Sequence, residues 1–418
     1  MKKLFLIPAI VIFTLQAAAQ TSTLFEKNYP GSKSCIGFDA LYLINSTGIT
    51  NEFTNKYLQG EFLDTETKDK SLNKMKDKNL LGNEFNGSLY YRYKSKKSTD
   101  SSSVVSHFFS LKERQHFNTK FTKDLFQLYF YGNEPFAGKT ADISNFNYRS
   151  VQYLQLQYGM ISEINNDGEI FGCMVAVSAL NGQDLLEIKT NEGSFYTEEN
   201  GEYVDMNLFL EAKQSDTSNT SFWSSSGIGA SADFEVHYGE ENKYNIRFSA
   251  SDIGFIAWNK KSTTFEVDTN YHFEGVVVEN LFDSLFLDVK SEQDFKDGFK
   301  ENKQAKSFTT MLPFRLNLSY EFTIIPDKLT EAIGVQYIFN SDYTPLVFAS
   351  CDYLFNRKTQ AGIYLQYGGY GGFHAGIHFD KDFGKGFILS LGSAYLDGYI
   401  APSSSAGQGA YAGIKKIF

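Results

Sequence analysis

Histidine offers the narrowest route to chemistry in this chain, because only six occur: His107, His116, His237, His272, His374 and His378. Three groups share one short stretch, His374, His378 and Asp380. On a strand these residues lie on one face, opposite Phe373, Ala375, Ile377 and Phe379. Residues two apart on one face are roughly 7 Å apart. His378 and Asp380 are therefore the candidate metal ligands, if another strand completes the set. The competing reading is a polar lining with no metal. No G-x-S-x-G, H-E-x-x-H, P-loop or helix-opening G-x-G-x-x-G occurs. The run Gly368-Gly369-Tyr370-Gly371-Gly372 has glycines suited to cradling a phosphate, but no helix or basic residue follows, so it reads as a hairpin turn. The expectation is a non-enzyme with no cofactor.

Composition narrows the class. The chain has 418 residues with 34 Gly but 7 Pro, and 39 Phe and 26 Tyr against 2 Trp. Such an aromatic load exceeds the needs of a soluble core and suits girdles at two membrane interfaces. A mean hydropathy of −0.31 excludes a bundle of membrane-spanning helices, whereas a barrel places alternate residues in a wet lumen. The formal charge of −10 and the lack of a basic stripe argue against nucleic acid as a partner. Cys35, Cys173 and Cys351 are odd in number and far apart, and read as small strand residues.

The elements that position these residues begin with an export signal. Lys2 and Lys3 precede the apolar core Leu4 to Leu15, and Ala17-Ala18-Ala19 supplies a cleavage site between Ala19 and Gln20. Residues 1–19 are thus expected to be removed, leaving 20–418 as one domain. No later stretch has the ~18 apolar residues of a spanning helix. After a first strand at 36–44, residues 51–83 read as a charged loop with a short helix. The pair 84–94 and 104–114 reads as a hairpin around Ser98-Thr99-Asp100-Ser101. Phe121, Leu125, Leu128 and Tyr129 have helical spacing, stopped by Gly132-Asn133.

From Arg149 strands dominate: 149–164, 170–180, 185–196, 203–213, 227–238, 244–255 and 263–273. Asn181-Gly182 and Asn200-Gly201 carry the type I′ hairpin signature. Leu154, Leu156 and Tyr158 alternate with Gln155 and Gln157. A helical pattern at 276–289 and a charged arm to Lys306 interrupt the train as a long excursion. Seven more strands follow from Phe314, and the last, 411–418, ends on Phe418. The fold expected is all-β, a transmembrane antiparallel β-barrel of about 14 strands (12–16), in the outer membrane of a Gram-negative cell.

Three pieces of the chain, Asp124-Leu125-Phe126, Phe130-Tyr131-Gly132-Asn133 and Phe136-Ala137-Gly138, together with the strand train and the Gly-rich end closing on Ile417-Phe418, carry a resemblance. The chain resembles bacteroidete-type outer-membrane barrels, in particular a family defined only as a domain of unknown function. Its layout is also similar to the long-chain fatty-acid transporter family and the related barrel subunit of type IX secretion. That likeness implies passage of a hydrophobic molecule through a kinked strand, or shuttling of secreted cargo. No ligand-contact residue of either family matches here.

Two functions follow as expectations: transport of a small hydrophobic or polar molecule across the outer membrane, or a non-conducting barrel serving a secretion or surface-assembly complex. A soluble exported β-sandwich adhesin is a third reading. The expected partners are outer-membrane lipid and the barrel-assembly machinery. That machinery prefers a terminal aromatic, which Phe418 supplies, with apolar residues two apart before it. Ile414 and Ala412 comply, and Lys416 departs from the pattern.

Overall fold

A computed structural model describes residues 29, 31–95, 103–218, 223–274 and 303–418. The export signal with its Ala19–Gln20 cut, the turn at 98–101 and nearly all of the 276–306 excursion lie outside these residues. The strands are β1 Ser34–Ser46, β2 Lys78–Lys94, β3 Ser103–Thr122, β4 Lys139–Asp142, β5 Phe146–Asn166, β6 Glu169–Thr197, β7 Tyr203–Gln214, β8 Gly227–Glu240, β9 Tyr244–Trp258 and β10 Thr263–Glu274. They continue with β11 Gln304–Ala305, β12 Thr309–Met311, β13 Arg315–Ile325, β14 Leu329–Ile338, β15 Thr344–Asn356, β16 Thr359–Gly369, β17 Phe373–Gly384, β18 Phe387–Ser393 and β19 Gly407–Ile417. Among the described residues four α-helices interleave: α1 Asn51–Gln59, α2 Thr65–Lys74, α3 Lys123–Tyr131 and α4 Leu396–Ile400.

Fourteen strands close into an antiparallel barrel, in the order β1, β2, β3, β5, β6, β8, β9, β13, β14, β15, β16, β17, β18, β19. The last strand returns to the first, from Cys35 opposite Ile417 to Asn45 opposite Gly407. Closure leaves no barrel edge unpaired, the condition for a sheet in hydrocarbon. Alternation then sorts the side chains. Leu156, Val177, Ile333, Val347, Ile363 and Phe379 stand exposed on the outer face. Their neighbours Gln155, Gln157, Ser178, Gln366 and Asp380 are buried inside. A soluble sandwich would invert this arrangement, so the adhesin reading is set aside.

The two rims differ. At the rim carrying the start of β1 and Phe418, described connections such as Asn166 to Glu169 and Glu240 to Tyr244 are tight. There Asp167 and Asn242 adopt left-handed φ of 49° and 58°, which short polar side chains tolerate. The far rim carries the long connections, the pattern in which short turns face the periplasm and long loops face outward.

On that far rim the chain builds a cap. β6 is longer than a membrane crossing requires. Its first half pairs with β8 as far as Gly182, and its second half pairs with β7 from Leu186 onward. β7 pairs in turn with β10, so the sheet forks above the barrel. The cap core joins Ile188, Phe195, Met206, Leu208, Leu210 and Val267 of this upper sheet to Phe53 of α1 and Leu125, Phe126 and Leu128 of α3. Each helix start is capped by a side chain: Thr50 accepts from Phe53 N–H, Asp64 from Thr67 N–H and Thr122 from Leu125 N–H.

Several local expectations change. The stretch 51–83 holds two helices, and β2 starts at Lys78 rather than Glu84. Phe121 belongs to β3, while Gly132 ends α3 as expected. Strands 170–180 and 185–196 are one strand, so Asn181-Gly182 makes no hairpin. Gly182 is there because Ile256 and Trp258 pack on its α-carbon, with Ile256 Cγ2 2.8 Å from where a Cβ would sit. The three cysteines are free. β12 and β13 keep a single register against β9, Met311 opposite Phe255 and Arg315 opposite Ser251. The ladder lapses between them at Pro313, which has no N–H to give, and Asp252 across the gap has φ 61°.

Candidate functional site in the barrel lumen

A round barrel of this strand number would measure about 28 Å across, given ~4.8 Å between strands and ~40° of tilt. Side chains alone cannot fill such a bore. In this barrel they meet across it. Arg315 Nη2 of β13 donates to Glu84 Oε2 of β2 at 2.5 Å. These strands stand almost opposite each other in the ring. Fully extended, Glu and Arg joined by a hydrogen bond span about 15 Å between α-carbons. The walls bearing β2 and β13 are therefore drawn together, and the barrel is flattened.

Further rungs join β3 to the β8–β9 wall. Lys112 Nζ lies 3.7 Å from Asp233 Oδ2, and Arg114 Nη2 lies 3.4 Å from Asp252 Oδ2. Gln157 donates to Asp233 at 2.6 Å, and Asp233 accepts from the Asp252 N–H at 2.8 Å. The ladder irregularities in β8 and β9 thus set two carboxylates inward, facing the two β3 cations. Burying such charges costs more than their attraction returns unless each is paired and hydrogen-bonded. All four are paired, and Asp233 is hydrogen-bonded as well, whereas Asp252 Oδ1 has no hydrogen-bond partner.

Toward the far rim, connecting turns fold into the mouth. Tyr370, from the glycine-rich turn, occupies the space a Cβ on Gly82 would take, and its hydroxyl is 2.9 Å from His116 Nε2. Gly368 and Gly369 supply the positive φ, 110° and 72°, that turns the chain back. Asp342, between β14 and β15, accepts from Asn118 at 2.9 Å and Asn147 at 2.5 Å, and Lys120 Nζ is 3.4 Å away. The space left among Glu84, Arg114, His116, Tyr153, Asp252 and Arg315 is a cavity of about 20 Å³, room for a water rather than a solute.

The candidate ligands do face the lumen, but in two places. His374 is buried under α4, with Nδ1 2.9 Å from Asp397 Oδ2 and Nε2 3.1 Å from Asn45 Oδ1. Burial would raise the Asp397 pKa, but hydrogen bonds from Ser405, His374 and the Ala375 N–H outweigh it and hold the carboxyl below its usual value. His378 instead pairs with Asp352 of β15, and Asp380 Oδ2 is 4.0 Å away. Asp380 accepts from Ser390 at 2.5 Å. No cluster of three metal-ligating groups occurs among the described residues. Phe418 lies at the seam, its N–H donating to Ser34 O and its carbonyl accepting from Lys33 N–H, both at 2.9 Å. Lys416 Nζ sits 5.6 Å from the Phe418 ring centre and 4.2 Å from that of Phe387. The position that departs from the apolar pattern is thus occupied by a cation over aromatic faces.

Sequence reasoning missed the cross-lumen residues Glu84, Arg114, Arg315 and Tyr370. Alternation could assign each to an inward face. Nothing local pairs Glu84 with a residue 231 positions later.

Comparison with solved structures brings up outer-membrane barrels. The toluene transporter TodX of Pseudomonas putida is 8% identical, with 93% of this chain and 91% of that one covered and a TM-score of 0.38. The Ralstonia pickettii toluene transporter TbuX is 9% identical, with coverage of 93% and 90% and a TM-score of 0.41. A Pseudomonas aeruginosa FadL homologue is 9% identical, with coverage of 92% and 89% and a TM-score of 0.37. At such scores the barrel assignment rests on the strand pairing itself. Curated proteins give no match. The pattern of one family spans residues 30–388, and on that match the chain belongs to the "Family of unknown function (DUF5723)".

Proposed function

We propose that this protein is an outer-membrane transport barrel for a small polar solute, exported through the signal at residues 1–19 and closed at rest. The observation that carries the reading is the contrast between faces: an apolar outer wall around a lumen lined by Lys112, Arg114, Arg315, Gln155, Gln157 and their acidic partners. At this level the lining offers a hydrated solute hydrogen-bonding groups, while apolar side chains such as Leu180, Ile256 and Trp258 cluster nearer the far rim. Lipid is the surrounding partner, and the barrel-assembly machinery is the partner proposed to read Phe418.

A second reading has its own support. The contacts across the lumen, together with a cap ordered on its own core, suit a non-conducting barrel whose cap docks a secretion or surface-assembly component. Liposome swelling and planar-bilayer conductance with the refolded full-length protein separate the two. Uptake of small sugars or amino acids supports transport. A barrel that stays silent to every small solute, while its cap captures a defined secretion subunit, overturns it.

A further inference from the structure

We propose that Glu84 and Arg315 are the constriction of the transport path, and that they set the charge preference of whatever passes. This rests on the transport reading above. Of the described ion pairs with both partners on barrel strands, this one joins the most widely separated walls: β2 and β13 are six strands apart one way round the ring and eight the other, while the comparable reach of Lys120 to Asp342 ends on a turn folded into the mouth. Lys112–Asp233 and Arg114–Asp252 span shorter arcs, from β3 to β8 and β9. Separating the two walls therefore requires the Glu84–Arg315 contact to break.

The surroundings sharpen the assignment. Both side chains border the 20 Å³ cavity, together with His116, whose Nδ1 is 4.0 Å from Glu84 Oε1. Tyr153, Ile338 and Pro313 also line that cavity. Removing one partner takes from the other its nearest opposite charge in a tight space. The charge left behind is relieved by hydration, so each single substitution wets the constriction and leaves one sign of charge facing the path. A ring or clamp of one sign in a narrow pore selects for the opposite ion.

The test is planar-bilayer conductance and reversal potential under a salt gradient, with the wild type, Glu84→Gln, Arg315→Gln and the exchange Glu84→Arg/Arg315→Glu. Both single variants are expected to conduct severalfold more than the wild type. Glu84→Gln should prefer anions and Arg315→Gln cations, and the exchange should return to wild-type closure. A generic leak from a loosened barrel would give both variants the same preference, and that result overturns the proposal. So do single variants indistinguishable from the wild type. If either fails to give heat-modifiable migration, Glu84→Cys/Arg315→Cys is made in a background with Cys35, Cys173 and Cys351 changed to Ser. Conduction before a bifunctional maleimide bridges the two thiols and silence after it supports the constriction, whereas equal conduction with the bridge formed overturns it; the linker is needed because a direct disulfide is too short for this span. Wild-type solute uptake is scored separately. Uptake by a barrel whose variants are unaltered sinks the constriction alone, and absence of uptake sinks the transport reading.

Discussion

At the scale of single residues, the cap depends on a few side chains that serve two elements at once. Thr50 Oγ1 accepts from Phe53 N–H at 3.3 Å to start α1 and lies 3.1 Å from Ser71 Oγ of α2. Thr50→Ala should cost the cap about 1 kcal/mol, visible as faster amide exchange in α1 with barrel strands unchanged. Lys56 bridges Asp64 at 2.8 Å and Glu52 at 3.4 Å. Hydrogen bonds from Lys56, then from the Thr67 backbone and side chain, hold the Asp64 carboxyl well below its ordinary value. Glu52 is pushed up by burial, but Lys70 and Lys56 together bring it below normal. A folded-state pKa below the unfolded one adds stability above the unfolded value, and that stability is lost as pH falls through the folded value. The cap should therefore loosen below about pH 4, and protease cleavage within 51–75 at pH 3.5 against pH 7 measures it. The effect will be modest, because these groups face solvent. Inside the barrel, Gly82→Ala must displace the Tyr370 ring. It is expected to lower the unfolding midpoint of the refolded barrel, as measured by heat-modifiable migration.

Elements were legible where hydrophobic period and turn chemistry agreed. The alternation of Leu154, Leu156 and Tyr158 with Gln155 and Gln157 places lipid and lumen faces correctly on β5, since Leu156 is 62% exposed and Gln155 fully buried. Leu156→Arg should accordingly destabilise the barrel by about 2–4 kcal/mol if this residue lies at the bilayer midplane, read from unfolding titrations in lipid. Asn181-Gly182 misled because an I′ signature and a close-packing glycine are the same two letters. Only Trp258 and Ile256, more than seventy residues away, distinguish them. The charged stretch 51–83 hid two helices because its apolar side is short and is covered by a partner, α3, that lies later in the chain. The inward turn of Tyr370 had no local signal either, as its partners His116 and Gly82 come from β3 and β2.

For the whole molecule, strand count and closure were readable because spacing and length are local properties. The lumen was not, because flattening is decided by pairs such as Glu84 and Arg315 that meet only once the ring exists. Deleting Phe418 removes the backbone bonds to Ser34 and Lys33, and is expected to reduce insertion into the membrane, measured as the heat-modifiable fraction in outer-membrane preparations. Unchanged insertion would leave the residue as a seam closure only. That seam has a consequence for how the chain is made. β19 meets β1 without any turn between them, so this pairing closes a loop of nearly the entire chain and is the slowest contact to form. Until it does, both strands present bare hydrogen-bonding edges that would as readily pair with a neighbouring copy. The time between synthesis of the first strand and capture of the last is therefore when this protein is most prone to aggregate, and a chaperone that shields either edge would shorten the hazard more than one that shields its apolar wall.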